Sequence, residues 1–219
     1  MQTPDPHARI AGIGLITASL LSVLAMAHHP TVTAPDITQA LQQLKDLAAL
    51  SGWVHGILIA LMLFIFWCLT EYSLRRGVEK PLTRAGLIFY GAGMVSMIGA
   101  ATISGWLTAR VGALVPAPDT QDLHLLAILI NFSFSMNQVL ANLGAVAMSA
   151  GIFAWSVGLM HDKGWNRGAA ALGILVGIAP ALALIAGGMH LDVHHMLGVV
   201  VLQGIWYIAM GVLLVTKRV

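Results

Sequence analysis

Six long apolar runs leave this chain few folds to choose from. They fall at roughly Ala8–Ala27, Trp53–Arg75, Ala85–Ala109, Asn137–Met160, Gly168–Ala186 and His194–Thr216, each near the ~20 residues that cross a bilayer as a helix. In hydrocarbon a backbone must pair its own N–H and C=O groups, so runs of this length read as helices and not as open strands. With 58% apolar and 9% charged residues and a mean hydropathy of +0.85, the chain also has too little polar surface to cover a soluble globule of its size. The expected fold is all-α: a polytopic membrane protein, one six-transmembrane-helix bundle over 1–219, with an amphipathic helix on its outer side.

The basic residues sort by side. Arg9 precedes the first run, Arg75, Arg76, Lys80 and Arg84 fill the second connection, Lys163 and Arg167 the fourth, and Lys217 and Arg218 the tail. By the positive-inside rule both termini are cytoplasmic. Lys45 and Arg110 fall on the other, non-cytoplasmic face, beside Asp36, Asp46, Asp119, Asp122 and Asp192. The net charge of +2 comes from scattered residues and not from a basic stripe, which excludes nucleic acid as a partner and leaves the lipid bilayer as the first one. Cys68 is the single cysteine, so there is no internal disulfide and no cysteine-based metal motif. No phosphate-binding glycine loop and no nucleophile elbow occurs. A second reading of the first run remains: Ile10–Leu24 followed by Ala25-Met26-Ala27 has the outline of a secretory signal, whose cleavage would leave His28 as the amino terminus and five spans.

Two outer segments do not read as simple spans. Asp36–Leu50 places Ile37, Ala40, Leu41, Leu44, Leu47 and Ala48 on one helical face, the pattern of an amphipathic helix lying on the outer surface or capping the bundle. Asp122–Met160 is too long for one perpendicular crossing, since ~38 residues make about 57 Å of helix against a ~30 Å core. It either projects outward or breaks near Asn131–Asn137. Along it His124, Asn131, Ser135, Gln138, Asn142 and Ser149 share one face, a polar seam that must meet other helices or a wet cavity. Two readings stay open: interhelical hydrogen bonding, or a pocket lined by Asn131, Ser135, Gln138 and Asn142 that binds a small-molecule or lipid-like ligand.

Packing faces and anchors follow from residue size. Ala92, Ser96, Ala100, Ser104 and Thr108 recur every four residues, and Gly173 and Gly177 form a Gly-x-x-x-Gly pair, so backbones approach closely there. Pro180 removes one helical hydrogen bond and is expected to bend its helix, helping to shape a cavity. Trp53, Trp106, Trp165, Tyr72 and Tyr90 fit interfacial anchoring. Gln203, Trp206 and Tyr207 suit either packing or the lining of a cavity below the histidines.

The histidines carry the chemistry. His28, His29, His55, His124, His190, His194 and His195 all fall at span ends on the non-cytoplasmic side. His190 and His194 have the four-residue spacing of a two-histidine clamp if the helix begins by His190, and His55 and His124 enter the same layer from other spans. Imidazoles with a carboxylate suit zinc or copper, with Met26, Met189 and Met196 at the same level for a cuprous ion. Asp122 or Asp192 would then serve as general base for hydrolysis of a lipid-like or small amphipathic substrate. His28, His29 and the cytoplasmic His161 read as amphipathic fillers at the interface or as imidazoles hydrogen-bonded to a carbonyl.

Ser51-x-x-x-His55 together with His190-x-x-x-His194 resembles the membrane zinc hydrolases that include alkaline ceramidases and adiponectin-receptor-like proteins, in which a serine, a histidine and a last-span histidine pair surround zinc. Arg9-Ile10-Ala11-Gly12, Asp122-Leu123-His124 and Asn166-Arg167-Gly168 look like segments of bacterial six-span inner-membrane proteins that carry no assigned activity. Three functional classes therefore stand: an outer-face zinc or copper metalloprotein built on His55, His124, His190 and His194; a b-type cytochrome with two of these histidines as axial ligands of haem b; and a non-catalytic sensor, permease or assembly partner.

Overall fold

A computed structural model describes residues 6–34, 36–114 and 119–216. The chain is 86% helix. Among the described residues six helices are long and apolar enough to cross a membrane: α1 (Pro6–Ala27), α2 (Ile37–Arg76), α3 (Pro81–Gly112), α4 (Thr120–Leu159), α5 (Trp165–Ile185) and α6 (Val193–Val215). The chain is an integral membrane protein.

Local signals set the helix ends. Asp36 caps α2 by accepting the Gln39 N–H at 2.9 Å, Pro81 opens α3, Asp119 and Asp122 form a reciprocal capping box on α4, and Asp192 caps α6 by accepting the His195 N–H at 2.8 Å. The aspartates each satisfy a backbone donor that the first helical turn leaves free, and the proline lacks one.

The outer amphipathic segment is not a separate helix. It runs unbroken into the second span, so that α2 is 40 residues long and about 60 Å from end to end. Residues 55–76 alone cover about one hydrocarbon thickness. α4, also 40 residues, takes the projecting form of the two expected for it. The extensions meet: Leu41 of α2 packs with Leu126 and Ile130 of α4, with Leu44, Val111 and Leu123 around them. The apolar stripe of residues 37–48 is thereby packed in part against neighbouring helices, with Leu41 buried and Ile37 and Leu44 half-buried.

Consecutive helices touch, and α6 returns to α1, so the six form a closed circle. Small residues permit the close contacts. A Cβ on Gly12 would lie 2.6 Å from the Gly211 carbonyl across α1 and α6, and one on Gly93 would lie 2.7 Å from the Gly144 carbonyl across α3 and α4. The expected stripe on α3 faces α4, where Ser96 Oγ donates to Leu140 O at 2.8 Å. Gly173 and Gly177 abut α4 residues Ser156, Ser149 and Phe153, and Gly173 also meets Trp206. Leu20, Ile88, Val95, Leu143 and Leu175 point outward with more than half their surface open, the apolar exterior a helix bundle presents to lipid.

The circle is filled at its basic end. Trp155 and Trp206 stack at 6.2 Å, Tyr72 and Tyr90 pack edgewise or tilted on Trp155, and Leu15, Leu69, Ile152 and Met210 close around them. Tyr72 and Tyr90 are each 1% exposed. They are core residues and not the interfacial anchors their span-end positions suggest, because each projects inward and stacks in the aromatic core. Trp53 and Trp165, 74% and 73% exposed, do have the exposure of anchors.

Candidate functional site

Above the aromatic plug the circle is hollow. A cavity of about 490 Å³ is lined by α1, α2, α3, α4 and α6 and by the connections around Pro30 and Asp192. Its volume falls within the range of about 300–1,000 Å³ typical of small-molecule sites. α5 supplies none of the lining, so Pro180 does not shape the cavity wall.

Three polar groups form the floor. Tyr207 donates to Gln203 Oε1 at 3.1 Å, and Tyr90 in turn donates to the Tyr207 hydroxyl at 2.8 Å. This chain of hydrogen bonds crosses the bundle from α3 to α6. Gln203 and Tyr207 thus take the cavity-lining role, while Trp206, 0% exposed, packs in the plug. Between floor and mouth the lining is mostly apolar, with Leu58, Met62, Met97, Ala141, Ala145 and Val199 on facing helices.

The mouth is built around His55. Its Nδ1–H donates to the Ser51 carbonyl at 2.8 Å, which leaves Nε2 as the free nitrogen. That nitrogen lies 3.1 Å from His29 Nε2, with the two imidazoles edge-on at 76°. Gly105 lets the histidine in, since a Cβ there would lie 2.7 Å from His55 Cβ. Gly105 belongs to a π-turn, Ile103–Leu107, a feature that recurs at functional sites. Asn137 of α4 braces this turn, donating from Nδ2 to Ala100 O at 2.8 Å and to Ser104 Oγ at 2.7 Å. Burial, followed by the nearby charge His55 would carry, pushes the His29 imidazole down to about 4, so it is neutral at physiological pH.

Ser51 and His55 lie close together but are not poised as nucleophile and base. Ser51 Oγ donates to Ser104 O at 3.3 Å, and the nearest imidazole nitrogen, Nδ1 at 3.3 Å, already carries a proton. A base needs a free lone pair there.

The expected metal ligands disperse. His55 is buried, but His124, His190 and His194 are exposed. α6 begins at Val193 with Asp192 as its cap, so His190 precedes the helix and does not share a face with His194. Ala186 and Gly187, the latter at a φ of 70°, form the turn that ends α5, and residues 188–192 are irregular. Among the described residues no three of His, Cys, Asp and Glu converge as a metal-binding group. The two expected bases are engaged elsewhere: Asp122 accepts at the α4 cap, and Asp192 holds the His195 N–H, which with the His195 side chain keeps its carboxyl below the usual range.

The seam divides. Gln138 lines the cavity, with Nε2 reaching Asn142 Oδ1 at 3.4 Å and Leu191 O at 3.5 Å. Asn142 itself does not reach the cavity lining. Asn131 and Ser135 are exposed; Ser135 Oγ donates to Asn131 O at 2.8 Å and so needs no neighbouring helix. His28 behaves as read, its Nδ1 2.9 Å from Leu24 O. His29 goes further, because the chain turns inward directly after α1 and brings this side chain over the circle against His55.

Compared with family models, curated proteins and solved structures, the chain finds no match.

Proposed function

We propose that this protein is a non-catalytic ligand-binding membrane protein, a sensor or permease, whose helix circle takes in a small amphipathic molecule. The carrying observation is the 490 Å³ cavity with an apolar wall and hydrogen-bonding groups confined to its two ends. A ligand matched to it has an apolar body and a hydroxyl, carbonyl or amide head. At the floor Gln203 Oε1 accepts from Tyr207, while its Nε2 makes no hydrogen bond to a described residue and is free to donate. Entry is from the histidine-bearing end. Charge placement makes that end the non-cytoplasmic one, the periplasm in a bacterial inner membrane, with both termini cytoplasmic.

The engaged protons of Ser51 and His55 and the capping roles of Asp122 and Asp192 favour binding over hydrolysis. A bis-histidine haem is disfavoured at the mouth, where 3.1 Å separates the nitrogens, against the roughly 4 Å spanned by two axial ligands on one iron.

Native mass spectrometry of detergent-purified protein, beside Ala145→Phe and Gln203→Leu, tests the reading. A bound small molecule on the wild type, lost when Phe fills the cavity and weakened about 10-fold when the floor donor is removed, supports it. Equal occupancy in all three, or none in the wild type after gentle extraction, overturns it.

A further inference from the structure

We propose that His29 and His55, with the Met26 thioether, form a copper(I) site at the mouth of the cavity. This goes beyond the organic ligand and stands whether or not one binds. Two imidazole nitrogens on a tetrahedral metal, at bond lengths of about 2.0 Å, lie about 3.3 Å apart. The two Nε2 atoms here are 3.1 Å apart, and the imidazoles meet edge-on, with centroids 4.7 Å apart, and are not stacked. His55 carries the supporting contact typical of a ligating histidine, since its Nδ1–H donates to the Ser51 carbonyl and leaves Nε2 for the ion.

A simple hydrogen bond between the imidazoles explains less. His29 Nε2 would then carry the proton, and its buried Nδ1, which has no hydrogen-bond partner, would be an orphaned acceptor. With an ion between the two Nε2 atoms, the proton moves to Nδ1, where the Pro30 carbonyl offers an acceptor. Both nitrogens of both imidazoles are then used.

The metal follows from what else is near. No carboxylate or thiolate converges with the pair among the described residues, so the anionic ligands that commonly complete a zinc site are missing. A methionine is present instead. Met26 is 5% exposed, lines the same cavity and lies one turn before His29, whose N–H it accepts at 3.2 Å. Two neutral imidazoles and a thioether are a soft, uncharged set, which suits copper(I) among common biological ions.

The full-length protein in detergent, titrated anaerobically with copper(I) against a chromophoric chelator and separately with zinc(II), provides the test. The expected result is one tight copper(I) per chain, weakened at least about 100-fold in His29→Ala and in His55→Ala, and about 10-fold in Met26→Leu. His190→Ala/His194→Ala should leave it unchanged. Copper X-ray absorption on the wild type, which needs no variant to fold, should show two imidazoles and one sulfur. Copper bound equally by wild type and both single-histidine variants, zinc held in preference to copper(I), or an absorption spectrum without imidazole scattering would each overturn the proposal.

Discussion

The two ends of the helix circle are built on opposite terms. At the basic end Trp155, Trp206, Tyr72 and Tyr90 fill the interior and every large side chain meets another. At the histidine end the same helices stand around open space, and the polar groups lie at its floor and mouth. The contrast separates the plug, which holds the helices in position, from the hollow that the proposed ligand would occupy. Side chains in the plug have neighbours on all sides, while those on the cavity wall already lack partners on one, so truncation removes different amounts of contact.

The largest effect should come from the plug. Trp206→Ala is expected to cost about 3–5 kcal/mol, read as a fall in the thermal unfolding temperature in detergent, whereas Met62→Ala on the cavity wall should cost less than about 1 kcal/mol because its neighbours already border a void. Equal losses would remove the distinction. Next is Gly211→Leu, which forces α1 off α6 and should cost about 1–3 kcal/mol by overpacking; a neutral result would mean that the circle is not closed there. Tyr90→Phe, at the border between the two ends, should lower stability by about 1 kcal/mol and also weaken ligand retention, an effect absent from a pure plug residue.

The smallest effect belongs to the basic surface. Arg76 Nη1 meets Asp162 Oδ2 at 2.7 Å. Partial burial raises the Asp162 carboxyl, but hydrogen bonds from Asn166 and Arg76 outweigh it and hold the net value below 3.8. A carboxyl depressed in the folded state stabilises above its unfolded value, and that contribution is lost as pH falls below about 4 and through the folded value. Asp162→Asn should therefore cost at most about 1 kcal/mol at pH 7 and flatten the acid limb of the unfolding curve.

The sequence made the fold legible wherever one helix suffices to explain a residue. The six spans and the small-residue faces depend on neighbours within a few turns, and each appears where the pattern puts it. What escaped depends on pairing across the circle. Tyr90 and Tyr207 are 117 residues apart, and nothing in either helix announces the other. His29 follows α1 in an ordinary connection, and only the inward turn of that connection makes it differ from His28. The seam on α4 falls one residue off: it takes in Gln138 and misses Asn137, which braces the π-turn. Periodicity fixes a face to within about 100° and cannot say which edge of that face meets a neighbour.

The π-turn in α3 has a consequence for how the outer tip is aimed. A turn of this kind holds one residue more than an α-turn, so Thr108–Gly112 is rotated by roughly 100° from where an uninterrupted helix would carry it. That rotation sets which way Val111 faces and lets it join Leu41 and Leu126 in the outer cluster. Deleting one residue between Ile103 and Leu107 would act as a dial on the helix axis: the span below would keep its packing, and the tip above would point a different set of side chains at the mouth.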